Sequence, residues 1–174
     1  INDPNFIVRT PWGSWLVSDD MRPEIWEVTD DGKAEIWCDD VVSPNGMVFS
    51  ADGTTLYAAN TFQLDNSPIY AIPVVDGVAG EAVVFAELGK GASNDGMAMD
   101  AGGNLYVAAN TRGQIVRITP EGDQEIVAED LFTPASIAFG SGEGFDPCSI
   151  YVTELGGKSV WRISLGVGGQ ALFK

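Results

Sequence analysis

The sequence predicts an all-β fold of tandem four-stranded units around one axis, and three observations carry that prediction. The first is composition: 45% of the 174 residues are apolar, and 21 glycines with 9 prolines punctuate short strand-like runs. The second is an internal repeat. A polar corner, a short apolar strand, a tight turn and a second apolar strand recur from Pro4, Pro44, Asn94 and Pro134, spaced by 40, 50 and 40 residues. The third is repeat size, since four-stranded units of about 40–45 residues mark the blades of a β-propeller. One such unit cannot bury both its faces, so blades pack side by side. A meander sandwich with coincidental repeats does not explain four aligned corners.

The units run 4–43, 44–93, 94–133 and 134–174 and make up one domain, 1–174. In the first, strands are expected at 6–10, 14–18, 24–28 and 34–38, with turns at Pro11-Trp12-Gly13, Arg22-Pro23 and Asp30-Asp31-Gly32. The second has strands at 47–50, 54–59, 69–75 and 82–86, with ten extra residues at 61–68 and around 89–93. Its Asp52-Gly53 dipeptide is a hairpin signal in which both central residues take positive φ. The third is the most regular: 97–100, 104–109, 114–118 and 124–128. The fourth runs 136–139, 149–153, 159–163 and 171–173, with a wider first hairpin over 140–147. Trp15, Trp26, Trp37 and Trp161 fall within strands and read as blade-to-blade packing.

Charge and missing residue types exclude several functions. A net charge of −16 argues against nucleic acid or an anionic membrane as partner, since both need clustered Lys and Arg. No apolar run approaches a membrane span, and no signal-peptide pattern opens the chain. It begins at Ile1, which reads as a processed or truncated product; a soluble protein is expected, in the cytoplasm, the periplasm or outside the cell. Cys38 and Cys148 lack metal-like spacing and read as free, partly buried thiols. Histidine is absent, so a Ser-His-Asp triad, a Cys-His dyad and imidazole-bound zinc or iron are excluded. Catalysis has to run on carboxylates, amides, hydroxyls, lysine or a metal held by oxygen.

A propeller sets the first strand of each blade nearest the axis, so the polar corner before it opens onto one end of the channel. That places Asn5, Asn45 and Asp95 around one mouth. Asp19, Asp20, Asn60, Asn110 and Glu154, at the returning ends of the second strands, form the rim; Asn5, Asp19, Asn60 and Asn110 are the candidates to face a substrate. Convergent side-chain oxygens in such an opening suit a hard cation such as Ca2+. Each residue has a plainer reading as a turn former bonded to its own backbone. The fourth corner, Pro134-Ala135-Ser136, shows that the scaffold itself requires no amide or carboxylate there. Met47 and Met97 pack beneath the mouth or wall a substrate pocket. Lys33, Lys90 and Lys158 read as solvated loop residues, and the glycine-rich run at 166–169 has no helix after it to hold phosphate.

Several segments together resemble the gluconolactonase family, the senescence-marker-protein or regucalcin-like six-bladed propellers. They are Ser43-Pro44-Asn45-Gly46-Met47-Val48-Phe49-Ser50 with Asp52-Gly53 and Leu56-Tyr57, and Asn94-Asp95-Gly96-Met97 with Asn104-Leu105-Tyr106. Thr133-Pro134-Ala135-Ser136 with Ile150-Tyr151-Val152 and the opening Asn2-Asp3-Pro4-Asn5 complete the match. The resemblance implies that Asn45 and Asp95 bind a divalent cation, that Asp95 is also the general base, and that Asn5 lies beside metal and substrate. Calcium is the expected ion, with zinc, magnesium and manganese as others. The implied activity is hydrolysis of a lactone or related ester, in which a bound cation polarises a carbonyl or acidifies a water. The alternatives are a phosphotriesterase of the diisopropyl-fluorophosphatase kind and a non-catalytic propeller segment acting as a binding module. Two departures stand out. The family's first-blade metal-binding Glu has no counterpart here, because the chain begins at what resembles the third blade. Asp3 stands where animal members carry Arg. Four blades of a six-bladed plan leave open flanks, so self-association or missing N-terminal blades are expected.

Overall fold

The computed structural model describes residues 1–173 and contains sixteen strands. Blade 1 is β1 (Pro4–Arg9), β2 (Trp15–Asp19), β3 (Glu24–Val28) and β4 (Ala34–Cys38). Blade 2 is β5 (Pro44–Phe49), β6 (Thr55–Asn60), β7 (Pro68–Val75), the two-residue β8 (Val78–Ala79) and β9 (Val83–Glu87), the last two both paired with β7. Blade 3 is β10 (Asn94–Met99), β11 (Leu105–Ala109), β12 (Gln114–Ile118) and β13 (Gln124–Ala128). Blade 4 has three strands, β14 (Pro134–Phe139), β15 (Ser149–Glu154) and β16 (Val160–Ser164). All neighbours are antiparallel, and the four inner strands begin at the four positions where the repeat begins. No helix among the described residues is long and apolar enough to cross a membrane.

Side chains alternate between strand faces, and in this fold both faces meet another blade. On β11, Leu105, Val107 and Ala109 join the core shared with blade 2, while Tyr106 and Ala108 join the one shared with blade 4. On blade 2, Leu56, Ala58 and Ile72 turn the other way and pack with Leu16 and Ile25 of blade 1. Three cores therefore bond four blades in sequence. β1 packs on β5, β5 on β10 and β10 on β14, and among the described residues no such packing joins β14 to β1. Blades 1 and 4 accordingly keep apolar residues in solvent: Ile7 is 58% exposed and Trp161 49%.

Three expectations need correction. Residues 171–173 form no strand; the segment after β16 leaves its blade and crosses the far end of the inner strands. There Ala101 N–H bonds Gly168 O at 2.9 Å, Gln170 N–H bonds Met99 O at 3.1 Å, and the Gln170 amide reaches Phe49 O at 2.7 Å. Phe173 then packs edge-on against Phe49, an apolar contact that a fourth strand on blade 4 would not offer. Second, in the Asp52-Gly53 turn only Gly53 has positive φ, at 72°. Asp52 stays on the ordinary side and accepts from the Ser50 and Thr54 hydroxyls and Thr54 N–H, which hold its carboxyl down to about 2. Third, the tryptophans divide. Trp37 stacks on Trp12, a turn residue, with Trp12 edge-on to Phe49 of the next blade. Trp15 and Trp161 lie at the surface, where blades 1 and 4 have no neighbour.

Candidate metal and substrate site

The corner residues do not precede their strands; they lie inside them, at a break in register. β1 pairs Pro4 with Asp19 and then Ile7 with Val17, so one extra residue is accommodated between them. The same shift occurs between Pro44 and Met47, Asn94 and Met97, and Pro134 and Ile137. A bulge of this kind re-aims the side chains it contains. Asn5, Asn45, Asp95 and Ala135 all sit in these bulges, at one end of the inner strands.

Glycine follows two of them for a reason the sequence reading did not supply. Gly46 and Gly96 do not have positive φ. A Cβ on Gly46 would press on Asp95 O, come within 2.7 Å of Gly96 Cα and 2.8 Å of Met97 N. One on Gly96 would come within 2.7 Å of Ala135 O and 2.8 Å of Ser136 Cα. Each glycine lets its bulge touch the bulge of the next blade, which brings Asn45 and Asp95 onto adjoining backbones. Ser43, Ser93 and Thr133 open the three corners with φ of 51°, 50° and 55°, a left-handed turn rarely adopted by such residues. The signal was a hydroxyl residue at the same register position in three units.

Asn45 is 3% exposed, and its Oδ1 is buried without a hydrogen-bond donor. Asp95 is half-buried; burial pushes its carboxyl up, against the bonds from Asn110 and Gly96 N–H, and the charge of Asp20 pushes the same way. Asn110 Nδ2 donates to Asp95 Oδ2 at 3.3 Å and to Pro134 O at 3.0 Å, tying blade 3 to blade 4. Asn5 is exposed, and its Nδ2 donates to Asp20 Oδ2 at 2.8 Å. Two other sequence candidates are engaged in bracing. Asp19, fully buried, accepts from the N–H groups of Asn2 and Met21. Asn60, also fully buried, donates to Val42 O and accepts from Gln63 N–H at 2.7 Å. Glu154 likewise accepts from Phe132 N–H. Met47 and Met97 are buried and line a cavity of about 700 Å³ with Phe6, Phe49, Met99 and Ile137, below the mouth and toward the crossing C-terminal segment. Both cysteines are free, Cys38 buried and Cys148 half-buried.

A divalent cation fits this donor set. Asn45 Oδ1 lacks a partner, Asp95 carries charge on the adjoining bulge, and both are hard oxygen donors of the type calcium takes. No group of three or more His, Cys, Asp or Glu side chains converges among the described residues, so a cation held here would draw on amide oxygens too.

A model of the SMP-30/gluconolactonase/LRE-like region matches residues 13–155. The chain belongs to this family. It is 31% identical over 119 residues to a 6-deoxy-6-sulfogluconolactonase from Pseudomonas putida, covering 66% of this chain and 38% of that protein. Among solved structures, a gluconolactonase from Xanthomonas campestris aligns over 95% of this chain and 58% of its own, with 21% identity and a TM-score of 0.76. A calcium-binding regucalcin from Agrobacterium tumefaciens aligns over 98% of this chain and 63% of its own, with 22% identity and a TM-score of 0.75. At those identities the structural likeness shows the fold alone. The chain spans 38% of the curated relative and about three fifths of each solved structure.

Proposed function

We propose that the chain carries the catalytic mouth of a divalent-cation-dependent lactone hydrolase, acting on a sugar lactone or related ester. The observation that supports this best is the Asn45–Asp95 pair: a buried amide oxygen without a donor, on a bulge adjoining that of a half-buried carboxylate. A calcium ion held by Asn45 Oδ1 and Asp95 would polarise the lactone carbonyl or acidify an attacking water; magnesium, manganese or zinc are the other candidates. Asp95 takes the proton as the water attacks and returns it to the leaving alkoxide. Burial raises its affinity for a proton, the direction that favours a general base. Asn110 orients the carboxylate through Oδ2. Asn5, exposed at the same end of the inner strands, is the proposed contact to substrate hydroxyls.

The test is hydrolysis of gluconolactone with calcium and after chelation, for the unaltered chain and Asp95→Ala. Chelation is expected to abolish turnover, and Asp95→Ala to lower kcat/KM by about 10²–10⁴-fold. Activity that survives the substitution overturns the role of Asp95. Turnover of an organophosphate ester but not of the lactone would assign the site to phosphotriester hydrolysis. Absence of both turnover and cation binding would leave a binding module.

A further inference from the structure

We infer that Asp20 supplies a second carboxylate to the cation site, beside Asp95. The inference rests on the proposed cation dependence and names a ligand for it.

Register makes Asp20 the counterpart of Asn110. β2 ends at Asp19 opposite Pro4, and β11 ends at Ala109 opposite Asn94; Asp20 and Asn110 are the next residues of their chains. Each bonds the bulge residue of its own blade, but with the chemistry exchanged. In blade 3 the bulge holds the acid, Asp95, and the rim holds the amide, Asn110. In blade 1 the bulge holds the amide, Asn5, and the rim holds the acid, Asp20. The corresponding blade 2 residue, Thr61, instead gives its hydroxyl to Asn94 O at 2.9 Å, and in blade 4 it is Leu155. Only blades 1 and 3 therefore bring a carboxylate to this layer by this pairing, and they flank Asn45 of blade 2.

Two contacts hold Asp20 at the mouth. Its backbone carbonyl accepts the Ser43 hydroxyl at 2.7 Å, two residues before Asn45. Its Oδ2 accepts from Asn5. Its Oδ1 is buried and has no donor, as is Asn45 Oδ1, which sits on a residue 3% exposed. Asp20 Oδ1 and Asn45 Oδ1 are thus two buried acceptors without donors, on neighbouring blades that the Ser43 hydroxyl ties together. A bound cation would satisfy both oxygens, with Asp95 on the bulge adjoining that of Asn45.

The experiment is a calorimetric titration with calcium chloride alone, without substrate, on the unaltered chain, Asp20→Asn, Asp20→Glu, Asp95→Asn and the exposed-loop control Glu143→Gln. Asp20→Asn keeps an acceptor for Asn5, and the Ser43 bond goes to the backbone, so the substitution removes charge and little else. Unchanged circular dichroism checks that. The expected result is that Asp20→Asn weakens calcium binding at least about tenfold, comparably to Asp95→Asn. Asp20→Glu is expected to recover part of the loss, and Glu143→Gln to bind as the unaltered chain does. Calcium binding by Asp20→Asn equal to that of the unaltered chain, with Asp95→Asn impaired, overturns the role of Asp20 and leaves the proposed function standing. An equal loss in Glu143→Gln would mean that overall charge, not Asp20, governs binding, and also overturns it. If the unaltered chain binds no divalent cation, the proposed function falls and this inference with it.

Discussion

At the residue scale, one buried acid away from the mouth shows how the fold can use a carboxylate completely. Asp100 is 1% exposed and accepts from Gly102 N–H, Asn104 N–H, the Asn104 amide and the Tyr106 hydroxyl, at 2.8 to 3.1 Å. A carboxylate so fully satisfied braces a turn, and nothing is left over for a ligand. Asn45 and Asp20 are the contrast, each with a buried oxygen that the fold does not use. Tyr106 provides a readout of this bracing. Burial, with the Asp100 charge and hydrogen bond, pushes its hydroxyl up to about 12 from the ordinary 10.0. The folded chain thus keeps this proton after the unfolded chain has released it. Its contribution to stability is complete below the ordinary value and is lost as pH rises from there through about 12. Tyr106→Phe removes that loss, so its urea midpoint should fall less steeply than that of the unaltered chain across this alkaline window. Parallel slopes would mean that the phenol titrates as an exposed one does.

At the element scale, the blade repeat is legible in the sequence because each blade is local: four strands joined by short turns, with alternation and Gly/Pro punctuation close at hand. The starts of the inner strands at Pro4, Pro44, Asn94 and Pro134 follow directly from that period. What joins one blade to the next is not legible in this way. Asn45-Gly46 and Asp95-Gly96 read as turn dipeptides, yet both glycines are in extended strand and are set by a backbone some 40–50 residues further on. The fate of 171–173 is hidden for the same reason, since its apolar partner Phe49 lies two blades away. The glycines can be tested. Gly46→Ala and Gly96→Ala force a methyl against backbone that has no rotamer to move, and should each cost about 1–3 kcal/mol of unfolding free energy in urea. Ser136 holds the same position in blade 4, where it faces solvent. Ser136→Ala should therefore change stability by less than about 0.5 kcal/mol. Equal costs at all three positions would show that the bulge, and not blade contact, selects glycine.

At the scale of the whole molecule, the open circle leaves one edge less protected than the others. The outer strands of blades 1, 2 and 3 carry Glu35, Glu87 and Glu125, charges of the kind that keep exposed sheet edges from pairing. β16 became an outer strand because residues 168–173 crossed to other blades, and its one charge, the exposed Arg162, is opposite in sign to those on the other outer strands. Its Val160 and Trp161 are 67% and 49% exposed, and among the described residues it pairs only with β15. An edge with one charge between exposed apolar residues can still recruit another strand, and a second copy of this chain offers the same edge. Opposing this is the net charge of −16, which makes copies repel over roughly a Debye length, about 10 Å at 0.1 M salt. Salt screens the repulsion but not the apolar contact, so association should strengthen as salt is added. Light scattering of the 174-residue chain is expected to show a mass that rises with both protein and salt concentration. Trp161→Lys puts a charge on the edge and should restore the single-chain mass without moving the unfolding midpoint by much, since Trp161 supports no core. A monodisperse monomer at every salt concentration would show that the β16 edge is inert. Association that Trp161→Lys leaves intact would move the contact to the opposite flank, where Ile7 is exposed on β1.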